Sequence, residues 1–277
     1  MRLSKHHGLG NDFLVALEEE NGPLVGDATT ARRLCDRRRG VGADGFIIGS
    51  RPAPGATTVD GRPVDVVMHL WNADGSRAEM SGNGIRCLGQ ALAMSRDEHT
   101  ATYVVATDGG PRELVVHDDA DHRLASVSVG MGLVADGPAV PRSVSERLAD
   151  SRHSTVDVGN PHLVVLVPDL STVDLVGTGA WIEREFPAGI NVEFISPTGT
   201  DTIDLLVWER GAGVTEACGT GAVAAATRAH EWGLVGREVR VQMPGGSAEV
   251  VVAAGPEEEP VLIGPAQHIA TVELPDG

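Results

Sequence analysis

The sequence predicts an α+β fold made of two pseudo-symmetric halves, and three observations carry that expectation. A Gly-rich turn occurs twice, as WNADGSRAEMSGNG from Trp71 and as WERGAGVTEACGTG from Trp208. Trp71/Trp208, Glu79/Glu216, Ser81/Cys218, Gly82/Gly219 and Gly84/Gly221 are each 137 residues apart, without a gap. Two further segments recur in the same order. HGLGNDFLVAL from His7 resembles DVGNPHLVVLV from Asp157, and GVGADGFII from Gly40 weakly resembles GINVEFIS from Gly189. Repeats in one order mean a duplicated domain with a pseudo-two-fold axis. Short β-branched runs also outnumber helical ones and do not alternate with them, which points to α+β rather than βαβ units.

In chain order, the apolar runs Phe13–Leu17, Phe46–Ile48, Val64–Leu70, Thr102–Ala106, Leu114–His117 and Ser126–Val129 read as strands by length and β-branched content. The second half gives Ser154–Val158, Leu163–Val167, Val192–Ile195, Thr202–Trp208, Glu238–Gln242 and Ala248–Ala253, with a last run at Ile269–Leu274. Asp27–Arg39 reads as a helix with Asp27 as N-cap and Gly40 as stop. Asn83–Met94 and Thr220–Trp232 are helices that open on the two Gly-rich turns, and Gly177–Phe186 is a shorter one. The halves are expected at 1–125 plus 265–277 and at 126–264, with the boundary after the polar stretch Asp118–Arg123.

Composition narrows the function. Hydrophobic residues make up 42% of 277, enough for a sizeable core, but aromatics are only 3%, so Val, Leu, Ile and Ala must fill it. A net charge of −17 argues against nucleic acid or an anionic membrane as partner, because both attract Lys and Arg. No apolar run reaches the roughly 18 residues of a membrane span. The N-terminus MRLSKHHGLGNDF lacks the apolar stretch of a signal peptide. Three cysteines do not make a disulfide framework, so a cytoplasmic protein is expected.

The chemistry lies at the turns. A Cys or Ser just ahead of Gly-x-Gly at a helix start sits beside unpaired N–H groups and the positive end of the helix dipole. That place stabilises a substrate carboxylate or a thiolate, and such a thiol is expected below its free value of about 8.5. Cys218 is therefore a candidate proton acceptor; the plain alternative is a small core residue. Asn11, Asn72, Asn160 and Asn191 stand beside glycines or at strand ends, and Glu209 and Arg210 follow a strand. Any one asparagine is explained as a turn former. Four of them spread over a duplication, with a Glu–Arg pair, suit a zwitterionic amino acid. His162, after Gly-Asn-Pro, is placed to tune the thiol; a solvated loop histidine is the alternative. Cys35 and Cys87 read as packing residues, and no metal site is expected, because no His/Cys/Asp cluster has ligand spacing.

Gly219-x-Gly221-x-x-Ala224 satisfies a dinucleotide-binding fingerprint. Its context rejects that reading, since the preceding strand ends about ten residues too early.

Together, HGLGNDF, WNADGSRAEMSGNGIRC, GNPHLV, GINVEF and ERGAGVTEACGTG resemble the diaminopimelate epimerase family, in its order and spacing and over nearly the whole chain. The resemblance implies two domains, each a curled, mostly antiparallel sheet around a central helix, with the active site in the cleft between them, and often a homodimer. It implies α-carbon inversion in 2,6-diaminopimelate, on the route to lysine and peptidoglycan, with no cofactor. Asn11, Asn72, Asn160, Asn191, Glu209 and Arg210 match substrate-binding positions. Gly82, Asn83, Gly219 and Thr220 match positions whose main chain holds the α-carboxylate. Cys218 matches one catalytic cysteine, and His162 and Glu209 match residues that adjust thiol acidity.

Two positions depart from the pattern. Ser81 stands where the family has its other cysteine, and Gly45 stands where a substrate-contacting glutamine is usual. A serine hydroxyl is a poor base without a neighbour to activate it, though it can return a proton to a carbanion. An active but asymmetric epimerase is expected, fastest where Cys218 is the base. The alternatives are a one-base enzyme of the same fold, a dehydratase or an epimerase of another amino acid, and a binding module that holds an amino acid without turning it over.

Overall fold

The computed structural model describes residues 1–275; the last two residues of the expected 265–277 segment lie outside them. The chain forms two compact units, Met1–Val129 with the segment from Gly264 on, and Gly130–Ile263.

In the first unit β1 (Arg2–Gly8), β2 (Asn11–Leu17), α1 (Glu18–Asn21), α2 (Ala28–Cys35), β3 (Gly45–Ser50), β4 (Val66–Asn72), β5 (Arg77–Ala78), α3 (Gly82–Arg96), β6 (Thr100–Thr107), β7 (Gly110–Asp118) and β8 (Leu124–Gly130) follow in order. The second continues with β9 (Ala135–Asp136), α4 (Arg142–Arg147), β10 (His153–Asp157), β11 (Pro161–Leu166), α5 (Leu175–Glu185), β12 (Asn191–Gly199), β13 (Thr202–Glu209), β14 (Gly213–Val214), α6 (Gly219–Glu231), β15 (Glu238–Met243), β16 (Gly246–Val251) and β17 (Val261–Glu273). From residue 267 on, β17 pairs with β1. Most neighbours are antiparallel. β2–β3 and β4–β6 run parallel in the first unit, as β11–β12 and β13–β15 do in the second.

Each unit wraps its strands around one helix. In α3 every residue from Gly82 to Ala93 is buried, as expected of a helix enclosed on all sides. Ile85, Leu88 and Leu92 contribute about 1.5–3 kcal/mol each by leaving water. Its polar members are paired: Arg86 donates to Asn83 Oδ1 and to the Pro265 carbonyl, and Gln90 Oε1 meets His6 Nδ1. In α6 the inward residues are small, Ala222, Ala224, Ala225, Ala226 and Ala229, which lets the helix lie close against β10–β13.

Some sequence expectations shift. The Asp27–Arg39 helix ends at Cys35. Asp27 does cap it, accepting from Thr30 N at 2.7 Å. The end comes early because the Asp36 carboxylate accepts from the Arg38 and Arg39 N–H groups, a local alternative to helix bonds. The helix expected at Gly177–Phe186 begins at Leu175, where Asp174 caps it through Gly177 N. β1 and α4 were not expected from the sequence. RLSKHHG carries too little apolar alternation to read as a strand, yet His6 is buried against Gln90.

Candidate active site

The catalytic candidate of the second unit sits at the start of α6. Cys218 is its N-cap (φ −125°, ψ 118°), and Sγ accepts from Gly221 N at 3.3 Å. Thr220 Oγ1 lies 3.5 Å from the sulfur. In the first unit α3 opens in the same way. Ser81 is the N-cap (φ −138°, ψ 124°), and Oγ accepts from Gly84 N at 3.1 Å. The Gly-x-Gly that follows each cap thus turns one main-chain N–H back onto the reactive atom.

Beneath those tips the two units differ. A Cβ on Gly221 would lie 2.9 Å from Glu193 Oε1 and 3.3 Å from Cys218 Sγ. A Cβ on Gly84 would instead meet Ile47 at 3.2 Å and Phe13 at 3.3 Å. Gly221 thus borders a carboxyl group, and Gly84 borders hydrocarbon.

Glu209, at the end of β13, accepts from Thr215 Oγ1 at 2.5 Å and from the Cys218 thiol. The short β13–β14 hairpin, with Glu209 opposite Gly213, brings Thr215 into reach. Burial pushes the Glu209 carboxyl up, and those two donors offset part of the rise. Burial also pushes the Cys218 thiol well above its ordinary value, and the charges of Glu209 and Glu193 add to this. The expected lowering at the helix tip is therefore corrected. Desolvation and two carboxyl groups outweigh the bonds from Thr220 and Gly221, so Cys218 rests as a thiol.

His162, on β11, is fully buried and held at both ring nitrogens: Nδ1 lies 2.7 Å from Glu193 Oε1 and Nε2 lies 2.8 Å from Asn160 Oδ1. Gly159 (φ 82°) makes the β10–β11 turn that carries Asn160. Glu193, equally buried on β12, was missed by the sequence reading. Its signal was a lone carboxylate inside the apolar run GINVEFIS. Asn191 serves the main chain: Nδ2 donates to the Pro161 carbonyl and Oδ1 accepts from Arg210 N. It thereby fixes where Arg210 leaves the sheet. The Arg210 side chain is exposed and lies over Gly189 (φ 70°), where a Cβ would come 2.8 Å from Arg210 Cδ.

In the first unit Asn11 donates to Asp44 Oδ2 at 3.0 Å and accepts from Asn83 Nδ2 at 3.2 Å. Asp44 is tied through Arg37 to Asp12, so the Asn11 turn is braced by ion pairs. Asn72 ends β4 opposite Gly45 and donates to Ser76 Oγ. Two groups thus assemble: Asn160, His162, Glu209, Cys218, Gly219 and Thr220 with Glu193, and Asn11, Ser81, Gly82 and Asn83 with Asn72 at a neighbouring strand end.

Cys35 and Cys87 are buried, and burial pushes their thiols to about 11 and about 12. Neither is placed to stand in for a thiol at position 81. Asp97, His99 and His122 gather within 4.8 Å although no sequence spacing announces it. The two imidazoles stack at 16°, so their in-plane lone pairs run side by side rather than converging.

The family model described as diaminopimelate epimerase matches residues 3–135 and 154–269. A diaminopimelate epimerase of Rhodococcus jostii is 37% identical over 290 residues, covering 100% of this chain and 98% of that protein. One from Mycolicibacterium smegmatis is 38% identical, covering 99% and 97%. Among solved structures, a predicted epimerase from Pseudomonas aeruginosa superposes with a TM-score of 0.73 at 15% identity, covering 100% of this chain and 99% of that one. A hydroxyproline epimerase from Agrobacterium vitis gives 0.69 at 18%, covering 98% and 91%. At such identities the likeness establishes a shared fold.

Proposed function

The chain belongs to the diaminopimelate epimerase family, and from that premise we propose how its residues carry the reaction. It is an isomerase that interconverts LL- and meso-2,6-diaminopimelate. The observation that carries the residue assignment is the setting of Cys218. Its sulfur accepts from Gly221 N, and the thiol stands within hydrogen-bonding reach of the Glu209 carboxyl group.

Cys218 hands its proton to Glu209 and takes the α-proton of the substrate as a thiolate. Glu209 is suited to this because burial raises its proton affinity toward that of the thiol. The developing anion is met by Gly221 N–H and by the N-terminal end of α6. N–H groups in the first turn of a helix are not consumed within it. Those of Gly219 and Thr220, and likewise those of Gly82 and Asn83, fit a substrate carboxylate. Asn11, Asn72, Asn160 and Arg210 are assigned to the remaining polar groups of this zwitterion. Asn191 acts by placing Arg210.

Inversion also needs a group that returns a proton to the other face of the α-carbon. Ser81 is that group, relaying a proton from water. A serine hydroxyl is a poor base without a neighbour to activate it, so Ser81 serves as a donor and not as the acceptor. No cofactor takes part in these steps. We place the enzyme in the cytoplasm, in lysine and peptidoglycan precursor synthesis, as a homodimer without nucleic-acid or membrane partners; no described helix is long and apolar enough to cross a membrane. Ser81 also favours one second reading, a one-base elimination on the same fold.

One experiment decides. The protein is incubated with LL-diaminopimelate in D2O without added cofactor. Deuterium at the α-carbon together with the meso isomer supports epimerisation, and binding without deuterium uptake sinks it; the elimination reading is tested in parallel with an amino acid that carries a β-leaving group, from which it requires a keto acid.

A further inference from the structure

Glu193 is one of two acidic side chains that face the α6 tip in the second unit, the other being Glu209. It stands in the middle of β12, opposite Val164 on β11 and Val207 on β13. A carboxylate in such a place is costly unless it is bonded or charge-paired. Among the described residues its one bond to another side chain is the 2.7 Å contact with His162 Nδ1, and its Oε2 is buried without a hydrogen-bond partner. The His162 ring is held at its far side by the Asn160 side-chain carbonyl. One proton then lies on the line between Nδ1 and Oε1. Glu193 Oε1 and Cys218 Sγ both border the missing Cβ of Gly221, at 2.9 and 3.3 Å. Any larger residue at 221 would part them.

We propose that Glu193 is a positioning residue: its carboxyl, tied to His162 and set against the tip of α6, keeps Cys218 in the proton-carrying thiol form and aims Asn160 through the imidazole. This deepens the assignment of Cys218 as the proton-transfer group and rests on it. The charges acting on Cys218 are Glu209 from β13 and Glu193 from β12; His162, from β11, acts on both carboxyl groups. The carboxylate end of the Glu193–His162 pair is the end that borders Gly221 beside the sulfur, and negative charge there disfavours the thiolate and makes that thiolate, once formed, a stronger base. The raised proton affinity of Cys218 agrees with this, and it follows from burial first and from the carboxyl groups second.

The test is Glu193→Gln, which keeps shape and removes charge. Alkylation of the residue-218 thiol by iodoacetamide is followed against pH by peptide mass spectrometry. The alkylation midpoint is expected to fall by about one pH unit, giving roughly tenfold more thiolate at a fixed pH below it. The acid limb of kcat/KM for epimerisation is expected to move by the same amount. An unmoved alkylation midpoint overturns the proposal and leaves Glu193 as filler. Alkylation does not depend on turnover, so it decides this point even if the epimerase assignment fails. Should the variant not fold, the wild-type protein still decides through the His162 Nδ1 proton. A strongly downfield resonance supports the shared proton, and an ordinary imidazole signal overturns it.

Discussion

Gly45 lies flat against Phe13. A Cβ on Gly45 would come 2.8 Å from two Phe13 ring carbons and 3.1 Å from the Trp71 carbonyl, and the two residues are direct partners across the parallel β2–β3 pair. The position that holds glutamine in the family pattern is therefore closed here by packing. Gly45→Gln is expected to destabilise the fold by about 1–3 kcal/mol through overpacking and not to tighten substrate binding. Thermal unfolding and KM measured together check this. A stable variant with a lower KM would show that the strand can accommodate the side chain after all.

Asp12 makes the acid stability of the first unit predictable. Burial pushes its carboxyl up, but bonds from Arg37 and Lys5 and their charges outweigh burial and bring it to about 2. The folded value lies below the unfolded one, so the stabilisation is complete above about pH 4 and is lost as pH falls toward 2. The difference corresponds to about 2 kcal/mol. Asp12→Asn should lower stability near pH 7 by about that amount, with the two unfolding curves converging by pH 2. Because Arg37 also holds Asp44, and Asp44 holds Asn11, KM should rise in the same variant. Curves that stay parallel down to pH 2 would rule the ion pairs out as the cause.

These braces explain what the sequence could and could not disclose. The caps were legible because chemistry at a helix start is local: Ser81 and Cys218 each precede Gly-x-Gly, and each accepts from the N–H three residues on. The duplication was legible because its spacing is exact in number, and most strands were legible from β-branched runs. Glu193 was not, because its meaning depends on β12 lying beside β11 and under α6, which periodicity does not encode. Nor was the direction of the thiol shift. A helix tip favours the thiolate, and only the burial of Cys218 beside two carboxyl groups reverses that. β1 escaped because RLSKHHG is polar, and its pairing with β17 joins residues more than 250 apart in sequence.

The Ser81 tip makes a kinetic prediction. The ratio of kcat/KM in the two directions is fixed by the reaction equilibrium, so asymmetry must appear in isotope exchange. In single turnovers in D2O, α-proton exchange should be faster for the stereoisomer whose proton faces Cys218. Ser81→Cys should narrow that gap and raise inversion by roughly tenfold or more, within the range that a positioned acid or base supplies. Equal exchange from both stereoisomers in the parent enzyme would remove the basis for this asymmetry.

Glu209→Gln separates a proton acceptor from a structural prop, because two readouts should move in opposite directions. Glu209 opposes the thiolate by its charge and also receives the thiol proton. Without the carboxylate, Cys218 should ionise more readily, so its alkylation at a fixed pH below the midpoint should speed up. Proton abstraction from substrate should slow by about a hundredfold or more, since the acceptor for the thiol proton is gone and the thiolate is a weaker base. Thr215 keeps a hydrogen-bonding partner in the amide, so the β13–β14 hairpin should hold and the unfolding temperature should change little. A Glu209→Gln enzyme in which alkylation and exchange fall together would point to a displaced thiol, and Glu209 would lose its assigned role.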